Sequence, residues 1–166
     1  MKNVLSYVLV ILIAIIIKTF IFSPVKVNGN SMMPTLKDGD IMILNEIGYL
    51  LNGIERFDIV VANVDGEKLI KRVIGLPGES VEYIDNNLYI NGELIVENFT
   101  HEDTNDFSLS ELGASVIPDN HYFLVGDNRS NSKDSRSIGF VHSGHILGKT
   151  NFIIFPFSRI SSVQWL

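Results

Sequence analysis

The chain has 166 residues, 46% hydrophobic and 19% charged, and 13 Lys and Arg against 19 Asp and Glu give a formal net charge of −6. An acidic chain without clustered Lys or Arg is a poor partner for nucleic acid. The absence of cysteine excludes disulfides, thiol nucleophiles and cysteine-based zinc sites. In chain order the first element is Asn3–Phe22, NVLSYVLVILIAIIIKTFIF, with Lys18 its one charge. At ~1.5 Å per residue this run spans about 30 Å, the thickness of a bilayer core. A cleaved secretory leader would end in small residues, whereas this run ends in Phe20-Ile21-Phe22-Ser23-Pro24. The expectation is an uncleaved membrane anchor over residues 1–23, with Lys18 near enough to its outer end to snorkel to the headgroups. Charge does not fix the orientation, since Lys2 favours an inside N-terminus while Lys18 and Lys26 lie on the other side.

Beyond Pro24 the pattern changes to short apolar runs divided by Gly, Asn, Asp and Pro. Residues 24–166, roughly 140 in all, suit one domain with a core of its own. Asp40–Leu44, Phe57–Ala62, Leu69–Ile74, His121–Val125 and Thr150–Phe155 are rich in β-branched residues and too short for typical helices. Ser80–Ile84 and Leu88–Ile90 flank the turn signal Asp85-Asn86-Asn87, and Asn91-Gly92 leads into Glu93–Val96 as a two-residue hairpin. Glu97–Ser115 is polar and without period, and reads as a long loop or small insertion. The predicted class is mainly β, with one N-terminal helix and a small lobe around residues 80–118.

Four segments carry the candidate chemistry. Gly29-Asn30-Ser31-Met32-Met33-Pro34 sets a serine after a glycine-containing turn, where it could be held exposed; alone, it is more often a plain turn serine. In Lys68–Glu79, strand alternation puts Leu69, Lys71 and Val73 on one side and Ile70, Arg72 and Ile74 on the other. A lysine on an apolar face loses hydration, which lowers its pKa from ~10.4 and lets it act as a neutral base. The bland alternative is an edge lysine with its head in water. Gly126–Arg136 packs Asp127, Arg129, Asp134 and Arg136 around Ser132, as either a braced loop that aims a hydroxyl or a solvated one. Arg56–Val60 reads as an ordinary strand start. No H-E-x-x-H, G-x-S-x-G, P-loop or G-x-G-x-x-G occurs, and His142 and His145 lack a nearby carboxylate to complete a metal site. A Ser/His/Asp triad assembled in space stays open at this point.

The segments G-x-S-M-x-P-T-L, K-R-V-I-G-L-P-G-E and G-D-N-R-x-x-S-x-D-S-R, in that order after one apolar helix, resemble bacterial type I signal peptidases, above all the Gram-positive form. The resemblance runs from the anchor to about Trp165. It implies Ser31 as nucleophile, Lys71 as general base and Ser132 as the residue that positions that lysine. It further implies Asp127, Arg129, Asp134 and Arg136 as braces, and Val27, Met32, Leu36, Leu69 and Ile70 as the apolar lining of shallow substrate pockets. The implied fold has two antiparallel sheets at the outer membrane face. The implied activity is removal of signal peptides from exported pre-proteins by a monomer at the bilayer, with no metal or organic cofactor and no nucleic acid. One position departs from part of the family: Gly29 stands where a Ser or Thr hydroxyl assists the oxyanion, so a second oxyanion donor has no candidate. A non-catalytic, membrane-bound assembly chaperone for surface proteins is the alternative from another class. A self-cleaving repressor relative would need a DNA-binding domain, and the anchor argues against it.

Overall fold

The computed structural model describes residues 6–12, 22–46, 51 and 53–163. Residues 6–12 are helical and exposed; the rest of the predicted anchor, up to residue 21, lies outside the described residues. Among those described, no helix is long and apolar enough to cross a membrane. The first strand begins at Phe22, inside the predicted anchor boundary.

The strands are β1 (Phe22–Lys26), β2 (Ile41–Asn45), β3 (Ile59–Val64), β4 (Glu67–Gly75), β5 (Val81–Ile84), β6 (Asn87–Ile90), β7 (Glu93–Ile95), β8 (Phe107–Ser108), β9 (His121–Val125), β10 (Val141–His142), β11 (Ile146–Phe155) and β12 (Ser161–Ser162). They form two antiparallel sheets, as predicted. The larger runs β1-β2-β11-β3-β4-β9-β10, with β12 paired to β11, and the smaller runs β7-β6-β5-β8. Local turn chemistry sets much of the register. Asp85-Asn86 and Asn91-Gly92 both adopt positive φ at each residue, the hairpin geometry that matches strand twist. They place Ile84 opposite Asn87 and Ile90 opposite Glu93.

Three apolar cores follow from this layout. Val27, Met32, Leu36, Met42, Ile59 and Ile70 share the first. Val60, Ala62, Val73, Leu124 and Val141 share another. Ile74 joins Tyr83, Leu88, Phe107 and Phe123 in the core beneath the small sheet, where the Phe107 and Phe123 rings stack at 5.4 Å. β4 therefore has both faces covered, and every residue from Ile70 to Gly75 is buried. Its predicted alternation sorts Ile70 and Val73 into different cores, but neither side faces water.

The stretch Glu97–Ser115 is more ordered than a loop. Phe107–Ser108 adds to the small sheet beside β5, and Leu109–Leu112 forms a 3-10 turn. Its capping box pairs Ser108 Oγ with the backbone at Ser110 and Glu111, while Glu111 Oε1 accepts from the Ser108 N–H at 3.0 Å. The S-x-x-E signal at Ser108–Glu111 was present in the sequence but lay within polar surroundings.

Candidate active site

The turn that carries Ser31 is fixed from both ends. The Val27 N–H donates to the Asp40 carbonyl at 2.8 Å, and the Gly29 N–H donates to Asp38 Oδ1 at 2.7 Å. Gly29 has φ +83°, where an L side chain is strained. Met32 and Leu36, both buried, anchor the residues that follow. Ser31 is left half-buried at the surface of the turn.

Lys71 reaches this serine from β4. It is 4% exposed, and its Nζ donates to Ser31 Oγ at 2.6 Å and to the Ile70 carbonyl at 3.0 Å. Burial lowers the Lys71 pKa to about 8, against a partial rise from the Asp134 and Asp127 carboxylates. Those two acids are distant from Lys71 in sequence and approach it only in the fold. A neutral amine here could take the Ser31 proton while still donating to Ile70 O.

The 126–136 loop ties the turn that carries Ser31 to β4. Asp127 accepts from Arg72 Nε at 2.9 Å and Nη2 at 2.7 Å, a buried bidentate pair, and from Thr35 Oγ1 at 2.5 Å. The Arg72 guanidinium also lies 3.8 Å over the Phe99 ring. Asp134 accepts from the Gly126 N–H at 3.0 Å and from Arg136 Nε and Nη2, and caps the short helix Ser135–Ile138. Arg136 Nη2 donates to the Arg129 carbonyl at 2.7 Å. Arg129 in turn donates to Glu97 Oε1 at 2.6 Å, to Tyr83 Oη at 3.2 Å and to Thr104 Oγ1, all from the small lobe. The four predicted braces fall into two groups, Asp127 with Arg72 and Thr35, and Asp134 with Arg136, Arg129, Glu97, Tyr83 and Thr104. Arg72, Glu97, Thr35 and Thr104 were not among the predicted braces. Only Arg72 left a signal, as a cation predicted to share a strand face with Ile70 and Ile74; a cation buried on such a face needs a carboxylate.

Two expected site residues lack, among the described residues, the contact foreseen for them. Ser132 was expected to bond Lys71, and its Oγ is buried without a hydrogen-bond partner there. It is crowded against Gly126, where an added Cβ would collide with Ser132 Oγ and the Ser31 carbonyl oxygen. Leu36 was expected in a substrate pocket, yet it is fully buried in the first core and does not reach the cleft.

Ser31 and Lys71 stand in a cleft of about 390 Å³ between the β1–Asn28 segment and the first half of β4. Val27, Met32, Leu69 and Ile70 line it, and Lys26, Lys68, Glu67 and Lys133 add a charged rim that was not foreseen. Among the described residues both walls are free strand edges: β1 pairs only with β2, and β9 pairs with β4 only from Arg72 onward. The Ile70 carbonyl faces the cleft, as its bond from Lys71 Nζ requires. By antiparallel alternation the N–H and C=O of Lys68 share that free edge. His142 and His145 lie ring to ring at 6.1 Å, and neither lines the cleft. Among the described residues, no group of three His, Cys, Asp or Glu is placed to hold a metal.

The chain is similar to known proteins over most of its length. The family model described as signal peptidase, peptidase S26, matches residues 1–155. Signal peptidase I S of Bacillus subtilis (strain 168) is 37% identical over 171 residues, covering 96% of this chain and 93% of that protein. Signal peptidase IB of Staphylococcus aureus is 38% identical over 171 residues, covering 94% and 90%. A crystal structure of a signal peptidase I from Enterococcus faecalis V583 superposes with a TM-score of 0.55 at 39% identity, covering 58% of this chain and 95% of that one.

Proposed function

The chain belongs to the S26 signal peptidase family, and on that footing we propose that it is a serine endopeptidase that removes signal peptides from exported pre-proteins through a Ser31/Lys71 dyad. The observation that carries the assignment of the dyad is the 2.6 Å contact between Ser31 Oγ and a buried lysine whose pKa is lowered to about 8, at the head of an open cleft.

Neutral Lys71 takes the proton from Ser31 Oγ as the oxygen attacks the scissile carbonyl. The Ser31 backbone N–H stabilises the oxyanion. Collapse breaks the peptide C–N bond, the Lys71 ammonium returns the proton to the departing amine, and the acyl group stays on Ser31. Lys71 then removes a proton from the water that hydrolyses this ester and passes it to Ser31 Oγ as the ester C–O bond breaks, which restores the serine and the neutral lysine. Ser132 supports the lysine once its hydroxyl turns toward Nζ in the filled site. These steps draw on no metal or organic cofactor.

The substrate binds extended between the two free edges as an added strand. Val27, Met32, Leu69 and Ile70 meet alternate side chains, which favours small residues one and three positions before the cut. Residues 1–23 anchor the protein in the cell membrane as a single span, and residues 24–166, with the lobe around 80–118, work as a monomeric catalytic domain on the outer face.

Detergent-solubilised full-length protein incubated with a pre-protein is expected to release a new N-terminus after a small residue, and Ser31→Ala to release none. Retention of cleavage by Ser31→Ala refutes the dyad. Protease added to intact protoplasts should digest the domain, and full protection would reverse the orientation.

A further inference from the structure

Asn128 holds both peptide groups that flank Ser31. Its Nδ2 donates to the Asn30 carbonyl at 3.0 Å, and its backbone N–H donates to the Ser31 carbonyl at 3.1 Å. The side-chain amide has one consistent orientation, because Oδ1 accepts from the Asn131 N–H at 3.2 Å while Nδ2 faces a carbonyl. Asn128 is 9% exposed, so water competes little for these bonds.

The consequence lies on the other side of the Asn30–Ser31 peptide. That bond is trans, so the Ser31 N–H points opposite to the Asn30 C=O. The Asn30 oxygen is bound twice, by Asn128 Nδ2 and by the Met33 N–H at 3.1 Å. The peptide plane cannot turn without breaking both bonds. The Ser31 N–H makes no hydrogen bond among the described residues and is held facing away from the 126–136 loop.

We propose that Asn128 is a positioning residue that fixes the Ser31 N–H as an oxyanion donor before substrate arrives. This rests on the Ser31/Lys71 reading and adds a supporting group to it. A donor set in advance acts on the charge that develops in the transition state more than on the neutral carbonyl of the bound substrate. Losing the Asn128 side chain therefore lowers kcat and spares KM.

The test uses full-length protein in detergent with a peptide substrate, comparing wild type, Ser31→Ala, Asn128→Ala and Asn128→Asp. Asn128→Ala is expected to lose roughly 10- to 100-fold in kcat, a part of what removing an oxyanion donor costs. KM and the inflection of the pH profile should stay in place. Affinity for a peptide boronate, which forms a tetrahedral adduct on Ser31, should fall with kcat, while that for an uncleavable peptide should not. Asn128→Asp keeps the shape but sets an oxygen against the Asn30 carbonyl, so on the alkaline plateau it should fail to rescue. This variant also serves if Asn128→Ala melts below the assay temperature. A kcat within twofold of wild type in both variants, a loss expressed in KM, or an unchanged boronate affinity overturns the role of Asn128 alone. Cleavage by Ser31→Ala, or none by wild type, removes the dyad and this inference together.

Discussion

Replacing Lys71 by methionine should abolish activity and stabilise the fold, with a pH dependence that identifies the cause. Burial holds the lysine at about 8 against an ordinary value of 10.5. At ~1.36 kcal/mol per pH unit, that gap corresponds to about 3 kcal/mol of unfavourable free energy when the site is charged. Below pH 8 folded and unfolded chains both carry the proton, and the folded state bears the whole cost. Between about 8 and 10.5 only the unfolded chain keeps it, so stability rises with pH. Above 10.5 neither does, and the cost is gone. Methionine has similar length and no charge. The Ser31 hydroxyl and Ile70 carbonyl that lose Lys71 border the cleft, where water can replace it. Urea unfolding of both proteins in detergent at pH 7 and pH 10.5 measures the effect. The advantage of Lys71→Met at pH 7 should shrink by about 3 kcal/mol at pH 10.5. A difference between the two proteins that is equal at both pH values refutes the reasoning.

Two more expectations concern activity. With Lys71 at about 8, roughly a tenth of the enzyme is neutral at pH 7, half at pH 8 and nine tenths at pH 9, so kcat/KM should climb and level off accordingly. Lys71→Arg should be inactive throughout, because arginine keeps its proton, and a flat profile from pH 6 to 10 would remove Lys71 as the base. Gly126→Ala should destabilise the domain by about 1–3 kcal/mol and cost at least ~100-fold in turnover. Its new Cβ would meet Ser132 Oγ and the Ser31 carbonyl, and a variant with wild-type Tm and turnover would show that the loop yields freely.

The parts of the fold legible in the sequence are those written locally. Asp85-Asn86 and Asn91-Gly92 announce their hairpins because positive φ favours those residues. The three motifs announce Ser31, Lys71 and the 126–136 loop because each packs uncommon residue types into a short span. What was hidden joins distant positions. Arg72 finds Asp127 across 55 residues and Arg129 finds Glu97 across 32, and neither pairing leaves a trace in spacing. The cover on both faces of β4 depends on where the small lobe lands, and the seclusion of Leu36 depends on how the turn after Ser31 folds back. A motif can name Ser132 but not the rotamer of its hydroxyl, which packing around Gly126 decides.

The slot between β1 and β4 also imposes a schedule on any substrate bound in the extended mode proposed here. A strand between two free edges must offer its own N–H and C=O groups to both sides, so it cannot keep them in a helix or a folded sheet. The residues around the cut must be unpaired for several positions on entering. A pre-protein whose mature N-terminus has already folded, or whose apolar helix runs through the cleavage point, presents nothing the slot can take. Processing would then belong to the interval after a chain emerges from the membrane and before its first mature residues find their native partners.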